Sequence, residues 1–220
     1  MEGHDRLSSY INSLYSGNTP LLDRIEREAL QNKVPVIRRE MQSLLRTLLE
    51  ISKPSDILEI GTATGFSAVF MCTYTAPDTK ITTIEKYDKR IPEAKRNFRR
   101  AGVEDRVTLL EGEAGDFLRT MDQRFDFIFM DAAKGQYIHF LKDVERLLVP
   151  GGVLLSDNVL QGGDVLESRF AVERRDRTIH ARMREYLYAL THDPGLVTTV
   201  LEIGDGAALS VKREMTDEET

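Results

Sequence analysis

The stretch "LEIGTATGFSA", Leu58 to Ala68, decides the fold. An apolar run enters it, Gly61 and Gly65 punctuate it, and a second apolar run leaves it. The first run reads as a buried strand, the glycines as a turn and the last residues as the start of a helix. A strand, a tight turn and a helix form the opening unit of a parallel α/β sheet.

The pattern repeats downstream. Strands read as "DILEI" (56–60), "KITTIE" (80–85), "RVTLLE" (106–111), "FDFIFM" (125–130) and "GVLLS" (152–156). Helical patterns fall between them at 66–76, 88–101, 114–121 and 135–148. This alternation predicts right-handed crossovers and a doubly wound parallel sheet. The end differs: "LVTTVLEI" and "AALSVKR" are separated only by "GDG", which predicts an antiparallel hairpin. Upstream, "TPLLDRIEREALQNKVP" and "RREMQSLLRTLLEIS" read as two amphipathic helices, the first opened by Thr19-Pro20 and the second stopped by Pro54.

A chain of 220 residues fits one domain. The reading places it over 1–213, with N-terminal helices in 1–52, a core in 53–213 and an acidic tail in 214–220. That tail, "EMTDEET", carries four of the acidic residues behind the net charge of −6, so the body of the chain is almost neutral. Any nucleic-acid surface must therefore be a local patch. Cys72 is the single cysteine, which excludes an intrachain disulfide and reads as a small buried hydrophobe. The start has no signal-peptide core, and no segment reaches the length of a membrane span. A cytoplasmic protein with no membrane partner is the expectation.

The glycine loop reads as a ligand site. Its spacing is E-x-G-x-x-x-G, from Glu59 through Gly61 to Gly65. A dinucleotide fingerprint needs a glycine where Ala63 stands, so a pyrophosphate is disfavoured, and a nicotinamide oxidoreductase with it. Glu59 adds negative charge beside the loop. A cation with an amino-acid end and a nucleoside end, such as S-adenosylmethionine, suits it better. Gly61 and Gly65 permit close ligand approach. Glu85 ends the next strand, where an acid can accept from ribose hydroxyls. "EGEAGD" (111–116) can meet an adenine edge, which brings in Glu113 and Ala114.

Asp131 closes the fourth strand in "MDAAKGQY", and Asp157 and Asn158 close the fifth in "LLSDNVLQGG". In a doubly wound sheet these ends share one rim. Two carboxylates and an amide oxygen are hard donors suited to Mg²⁺, Mn²⁺ or Ca²⁺. Lys134 follows Asp131 by three residues, and beside a divalent cation its neutral amine would be favoured.

These four motifs in this order resemble the cation-dependent, S-adenosylmethionine-dependent O-methyltransferases of the catechol and caffeoyl-CoA type. The resemblance runs from about Val34 to Lys212. It implies a Rossmann-like class I methyltransferase, with a seven-stranded, mostly parallel sheet, a C-terminal antiparallel hairpin and extra N-terminal helices. It implies a metal on Asp131, Asp157 and Asn158, and Lys134 as general base. It also implies a cofactor touching Val36, Glu59, Gly61, Gly65, Ser67, Glu85, Glu113, Ala114 and Asp131. Within the group, "DAAKGQY" and "IGDG" are most similar to bacterial enzymes that methylate 5-hydroxyuridine in the tRNA anticodon.

Catechols and 5-hydroxyuracil both offer vicinal oxygens, so the motifs leave the acceptor open between tRNA and a small molecule. Two features lean toward RNA. Catechol-type relatives usually carry an aromatic residue where Ala133 stands, and this chain has no tryptophan. Between residues 169 and 184, Arg169, Arg174, Arg175, Arg177, Arg182 and Arg184 face only Glu173 and Asp176. Arg174, Arg175 and Arg177 are candidate phosphate contacts, and Phe170, His180 and Tyr186 candidate base-stacking residues. A solvated helix face is the plainer reading of the same arginines. A non-catalytic nucleotide-binding module would not need Asp131, Lys134, Asp157 and Asn158 together. By analogy with similar enzymes, the N-terminal helices make a homodimer the expectation.

Overall fold

The computed structural model describes residues 2–168 and 170–214. The acidic tail expected at 214–220 lies almost wholly outside that range, as does Arg169.

Seven strands form one sheet in the order β3-β2-β1-β4-β5-β7-β6. The strands are β1 (Asp56–Ile60), β2 (Lys80–Glu85), β3 (Val107–Glu111), β4 (Phe125–Met130), β5 (Leu148–Asp157), β6 (Leu196–Leu201) and β7 (Ala207–Lys212). The first five are parallel, and β7 runs antiparallel to both β5 and β6. The expected sheet and hairpin are both present.

Strand alternation splits the core into two layers. Ile57, Ile81, Phe127, Phe129 and Leu155 face one side with α3 (Arg39–Ser52), α4 (Phe66–Thr73) and α5 (Ile91–Ala101). Leu58, Ile60, Ile84, Ile128 and Met130 face the other with α6 (Ala114–Thr120), α7 (Tyr137–Leu147) and α8 (Arg177–His192). Strands covered on both faces read as unbroken apolar runs, which is why "FDFIFM" does not alternate.

The N-terminal region holds three helices where the pattern predicted two. α1 (Glu2–Ser13) precedes α2 (Pro20–Gln31) and leaves Tyr10 and Ile11 exposed, so it lacked the apolar stripe that announces a packed helix. α2 opens as expected: the Thr19 hydroxyl accepts from the Leu22 amide at 3.3 Å, and Pro20 occupies the first turn. Several boundaries also move, with α4 stopping at Thr73 and α5 starting at Ile91. β5 begins at Leu148 because the strand absorbs a register shift against β4 between Phe125 and Phe127. The helix expected at 135–148 becomes a 3-10 turn over Lys134–Gln136 followed by α7.

The chain order places β1 and β4 side by side at the point where the sheet reverses direction. Ligands of open α/β sheets bind outside the strand ends at such a switch point.

Candidate active site

Gly61 leaves β1 with φ +109°, and a Cβ there would sit 2.1 Å from the Asp131 backbone oxygen. The Asp131 amide donates to the Ile60 carbonyl at 3.0 Å, so the ends of β1 and β4 are stitched together. Gly65 has φ +78°, and its Cβ would meet the Phe98 ring at 2.7 Å. Packing adds its own demand on both glycines: Gly61 lets β4 approach the loop, and Gly65 lets α5 pack on it. The Asn97 side-chain amide fixes the loop further by donating to the Thr64 carbonyl at 2.8 Å.

Ala63 takes the left-handed conformation at φ 46° and donates its amide to Glu85 Oε2 at 2.7 Å. Glu85 Oε1 accepts from the Tyr87 amide at 2.8 Å. Two backbone donors thus orient one half-buried carboxylate at the end of β2.

A cavity of about 210 Å³ opens beside it, lined by Gly61, Ala63, Glu85, Lys86, Gly112, Glu113, Ala114, Asp131 and Ala132 to Ala133. Ile60, Ile84, Gln136 and Phe140 complete the wall. Its acids outnumber its single lysine, and Lys86 is itself paired with Glu113 at 3.3 Å. Of the residues predicted to touch a cofactor, Gly61, Glu85, Glu113, Ala114 and Asp131 line this space. Gly65 and Ser67 lie in the adjoining loop and helix start, and Val36 packs on the core between α2 and α3. Glu59 lies below, fully buried, and accepts from the Thr83 hydroxyl.

Asp131 and Asp157 meet at the next part of the rim. Asn158 donates through Nδ2 to Asp131 Oδ1 at 3.0 Å, and its own amide donates to Asp157 Oδ1 at 2.6 Å. Asn158 reaches this position by adopting φ 62°, which asparagine tolerates better than most residues. Burial pushes the Asp157 carboxyl up to about 7, and the neighbouring Asp131 charge adds to that shift. Burial raises Asp131 as well, against the Asn158 bond and the Lys134 charge. Lys134 is half-buried at the head of the 3-10 turn, and its charge bears on both carboxylates.

The O-methyltransferase family model matches residues 12–213. The chain belongs to that family. A catechol O-methyltransferase of Mycobacterium tuberculosis is 34% identical over 163 residues, 71% of each chain. A caffeoyl-CoA O-methyltransferase of Populus kitakamiensis is 30% identical over 218 residues, covering 91% of this chain and 89% of the relative. The crystal structure of a Podospora anserina methyltransferase with bound SAH (S-adenosylhomocysteine) superposes with a TM-score of 0.86 at 27% identity, covering 97% of this chain and 96% of that one. This protein is an S-adenosylmethionine-dependent O-methyltransferase by family.

The residues of this methyltransferase fit a cationic cofactor on an observation of their own. Glu59 Oε1 is fully buried and meets no donor in full hydrogen-bond geometry among the described residues, although the Ser67 hydroxyl is near enough to lower its carboxyl pKa. An acceptor stranded in this way favours a ligand that brings a donor or a positive charge. They also fit a divalent cation. Two carboxylates held side by side, each pushed toward its neutral form, relax when a cation joins them. The third donor is the neutral Asn158. Among the described residues no cluster of three or more His, Cys, Asp or Glu side chains competes for such an ion.

The arginine segment of the methyltransferase is organised differently from the expectation. His180 is 3% exposed and Tyr186 fully buried, so neither can stack on a base; Phe170, at 86% exposure, can. The Arg177 guanidinium donates to the Val172 carbonyl at 3.2 Å, Arg182 to Gly135 at 3.1 Å and Arg184 to Val165 at 3.0 Å. Arg177 is thereby anchored to the backbone, with guanidinium donors left over. Arg174 and Arg175 are exposed, with Arg175 beside Glu173 at 3.0 Å and Asp176 at 3.3 Å.

Sequence reasoning missed Tyr137. It sits at the apolar spacing of α7, with Phe140, Leu141, Val144 and Leu147, and reads as an ordinary core residue. Its hydroxyl instead meets the backbone beside both acidic residues of the rim.

Proposed function

We propose that this enzyme moves the methyl group of S-adenosylmethionine to a hydroxyl that has a second oxygen on the adjacent carbon, with a divalent cation held by Asp131, Asp157 and Asn158. The observation that carries this reading is the meeting of the buried Asp157 and half-buried Asp131 carboxylates with Lys134 at the rim of an acid-lined cavity. When bound, the cofactor supplies an electrophilic sulfonium methyl and the cation supplies a Lewis acid for the two acceptor oxygens.

The chain's own residues do the rest. Glu85, already oriented by the Ala63 and Tyr87 amides, keeps lone pairs free for ribose hydroxyls. Glu59 offers its unpartnered oxygen toward the amino-acid end of the cofactor. Lys134 takes the proton of the acceptor hydroxyl as that oxygen gains the methyl. The carbon–sulfur bond breaks, its electron pair returns to sulfur, and a thioether leaves. Holding the acceptor oxygen in line with the methyl contributes most of the rate gain.

The acceptor favoured here is 5-hydroxyuridine in the tRNA anticodon, giving 5-methoxyuridine. Ala133 lines the cavity with a small side chain where an aromatic ring would take up space, and Phe170, Arg174 and Arg175 are exposed on the segment after Asn158. A small catechol or phenolic acceptor is the second reading. It is favoured by the commitment of Arg177, Arg182 and Arg184 to backbone carbonyls, and by relatives named for catechol and caffeoyl-CoA.

Transfer of labelled methyl to tRNA carrying unmethylated 5-hydroxyuridine, with Mg²⁺ and with EDTA beside a catechol control, tests both. Metal-dependent labelling of tRNA is the expected result. Labelling of catechol alone moves the acceptor to small molecules. Labelling that ignores EDTA removes Asp131, Asp157 and Asn158 as ligands and the role given to Lys134.

A further inference from the structure

Asp131 and Asp157 come from two different strands, and the ladder between them stops one residue short of each. The last register partners of β4 and β5 are Met130 and Ser156. The Met130–Ser156 pair is the last rung of that ladder, and the side chains of Asp131 and Asp157 stand at its end. On its other side β5 is held, because Asp157 pairs with Ala207 of β7.

Tyr137 fills the gap from the first turn of α7. Its hydroxyl accepts from the Ala132 amide at 3.2 Å. The same oxygen lies 3.2 Å from the Met130 carbonyl and 3.1 Å from the Asp157 carbonyl, and its one proton is shared between them. Those three backbone groups flank Asp131 on both sides and include Asp157 itself. The ring is fully buried and packs edge-on against Tyr186, with centroids 5.4 Å apart and planes at 78°. The hydroxyl therefore has no room to swing aside.

We propose that Tyr137 is a positioning residue that fixes the separation of Asp131 and Asp157 and so tunes the affinity of the site for a divalent cation. This rests on the metal reading above. Outer partners of metal ligands typically govern affinity by about tenfold to a hundredfold.

The test is Mn²⁺ binding to the full chain, read by the loss of the free-ion electron paramagnetic resonance signal, with no turnover involved. Tyr186→Phe is the control, since Tyr186 is equally buried in the same layer but bonds Ser156 Oγ. Tyr137→Phe should bind Mn²⁺ about tenfold or more weakly. Tyr186→Phe should bind nearly as the unaltered chain does, and both should bind S-adenosylhomocysteine as before. Unchanged Mn²⁺ affinity in Tyr137→Phe overturns the proposal. So does an equal loss in both variants, which would mean that general core packing is being read. Failure of the unaltered chain to bind Mn²⁺ overturns the metal reading itself, and this proposal falls with it.

Discussion

The two halves of the rim are built by opposite strategies. On the proposed cofactor half, over β1, β2 and β3, backbone amides orient acidic side chains: Ala63 and Tyr87 hold Glu85. On the proposed acceptor half, beyond β5, basic side chains hold backbone carbonyls: Arg177, Arg182 and Arg184 secure Val172, Gly135 and Val165. An acid held by the backbone keeps lone pairs for a ligand. An arginine spent on a carbonyl has donors left but has lost its freedom to follow a phosphate. The difference teaches that a charged residue's type does not reveal its task; what it is bonded to does. Asp131, Asp157 and Lys134 stand where the two halves join.

The largest effects should appear at that junction. Lys134→Ala should lower kcat roughly 10²–10⁴-fold while leaving cofactor affinity nearly unchanged. Single-turnover rates beside calorimetric titration with S-adenosylhomocysteine separate the two quantities. An equal collapse of affinity would place Lys134 on the cofactor half. Glu85→Ala should do the reverse. It removes an oriented acceptor and leaves the Ala63 amide without its partner, a loss of about 1–3 kcal/mol. Cofactor affinity should fall roughly tenfold to a hundredfold in the same titration. If kcat alone fell, the division of labour drawn here would fail.

Glu59 sharpens the comparison through pH. Burial raises its carboxyl from 4.5 to about 7 in the folded chain, against the opposing Ser67 and Thr83 hydroxyls. A group raised on folding favours the folded state below its unfolded pKa, and that contribution is lost as pH rises through the folded value. The ligand-free protein should therefore lose stability between about pH 4.5 and 7, by up to about 3 kcal/mol from this residue. Glu59→Gln should make the melting temperature fall less steeply across that window, with Asp157 and Glu145, also raised to about 7, still contributing. Saturating S-adenosylmethionine should lessen the slope too, because a cationic ligand favours the charged carboxylate. A Glu59→Gln profile as steep as that of the unaltered chain would count against the assignment.

The placement of the rim residues was legible because it follows from position along the strands. "LEIGTATGFSA", Glu85 and Glu113 lie at strand ends, and the parallel sheet brings strand ends together whatever the detailed packing. Asp131, Asp157 and Asn158 were legible for the same reason. Tyr137 was not, because a buried tyrosine and a buried leucine share the same helical spacing, and only the backbone groups around its hydroxyl separate them. The reason for Gly65 was also hidden: the turn called for glycine, but Phe98 arrives from a helix more than thirty residues away. His180 and Tyr186 misled because a helix that is basic on one face buries its other face on α7, and the arginine count carried no information about which side each residue took.

The smallest expected effect decides most about the acceptor. Arg174 and Arg175 are exposed, as is Arg184, but Arg184 is bonded to the Val165 carbonyl and Arg177 to the Val172 and Phe170 carbonyls. Replacing Arg174 and Arg175 with alanine should hardly alter stability, since exposed ion pairs such as Arg175 with Glu173 contribute little. It should weaken tRNA binding severalfold. It should also lower the slope of log affinity against log salt by about 1 to 2, as loss of one or two phosphate contacts requires. Arg177→Ala should behave in the opposite way, costing about 1 kcal/mol of stability through the lost carbonyl bonds. Its salt slope should stay close to that of the unaltered chain. If Arg174 and Arg175 leave the slope unchanged while catechol is still methylated, the segment is a structural cover in all its arginines. The acceptor half would then be a pocket for small molecules, its cations spent as fully as those of Arg182 and Arg184.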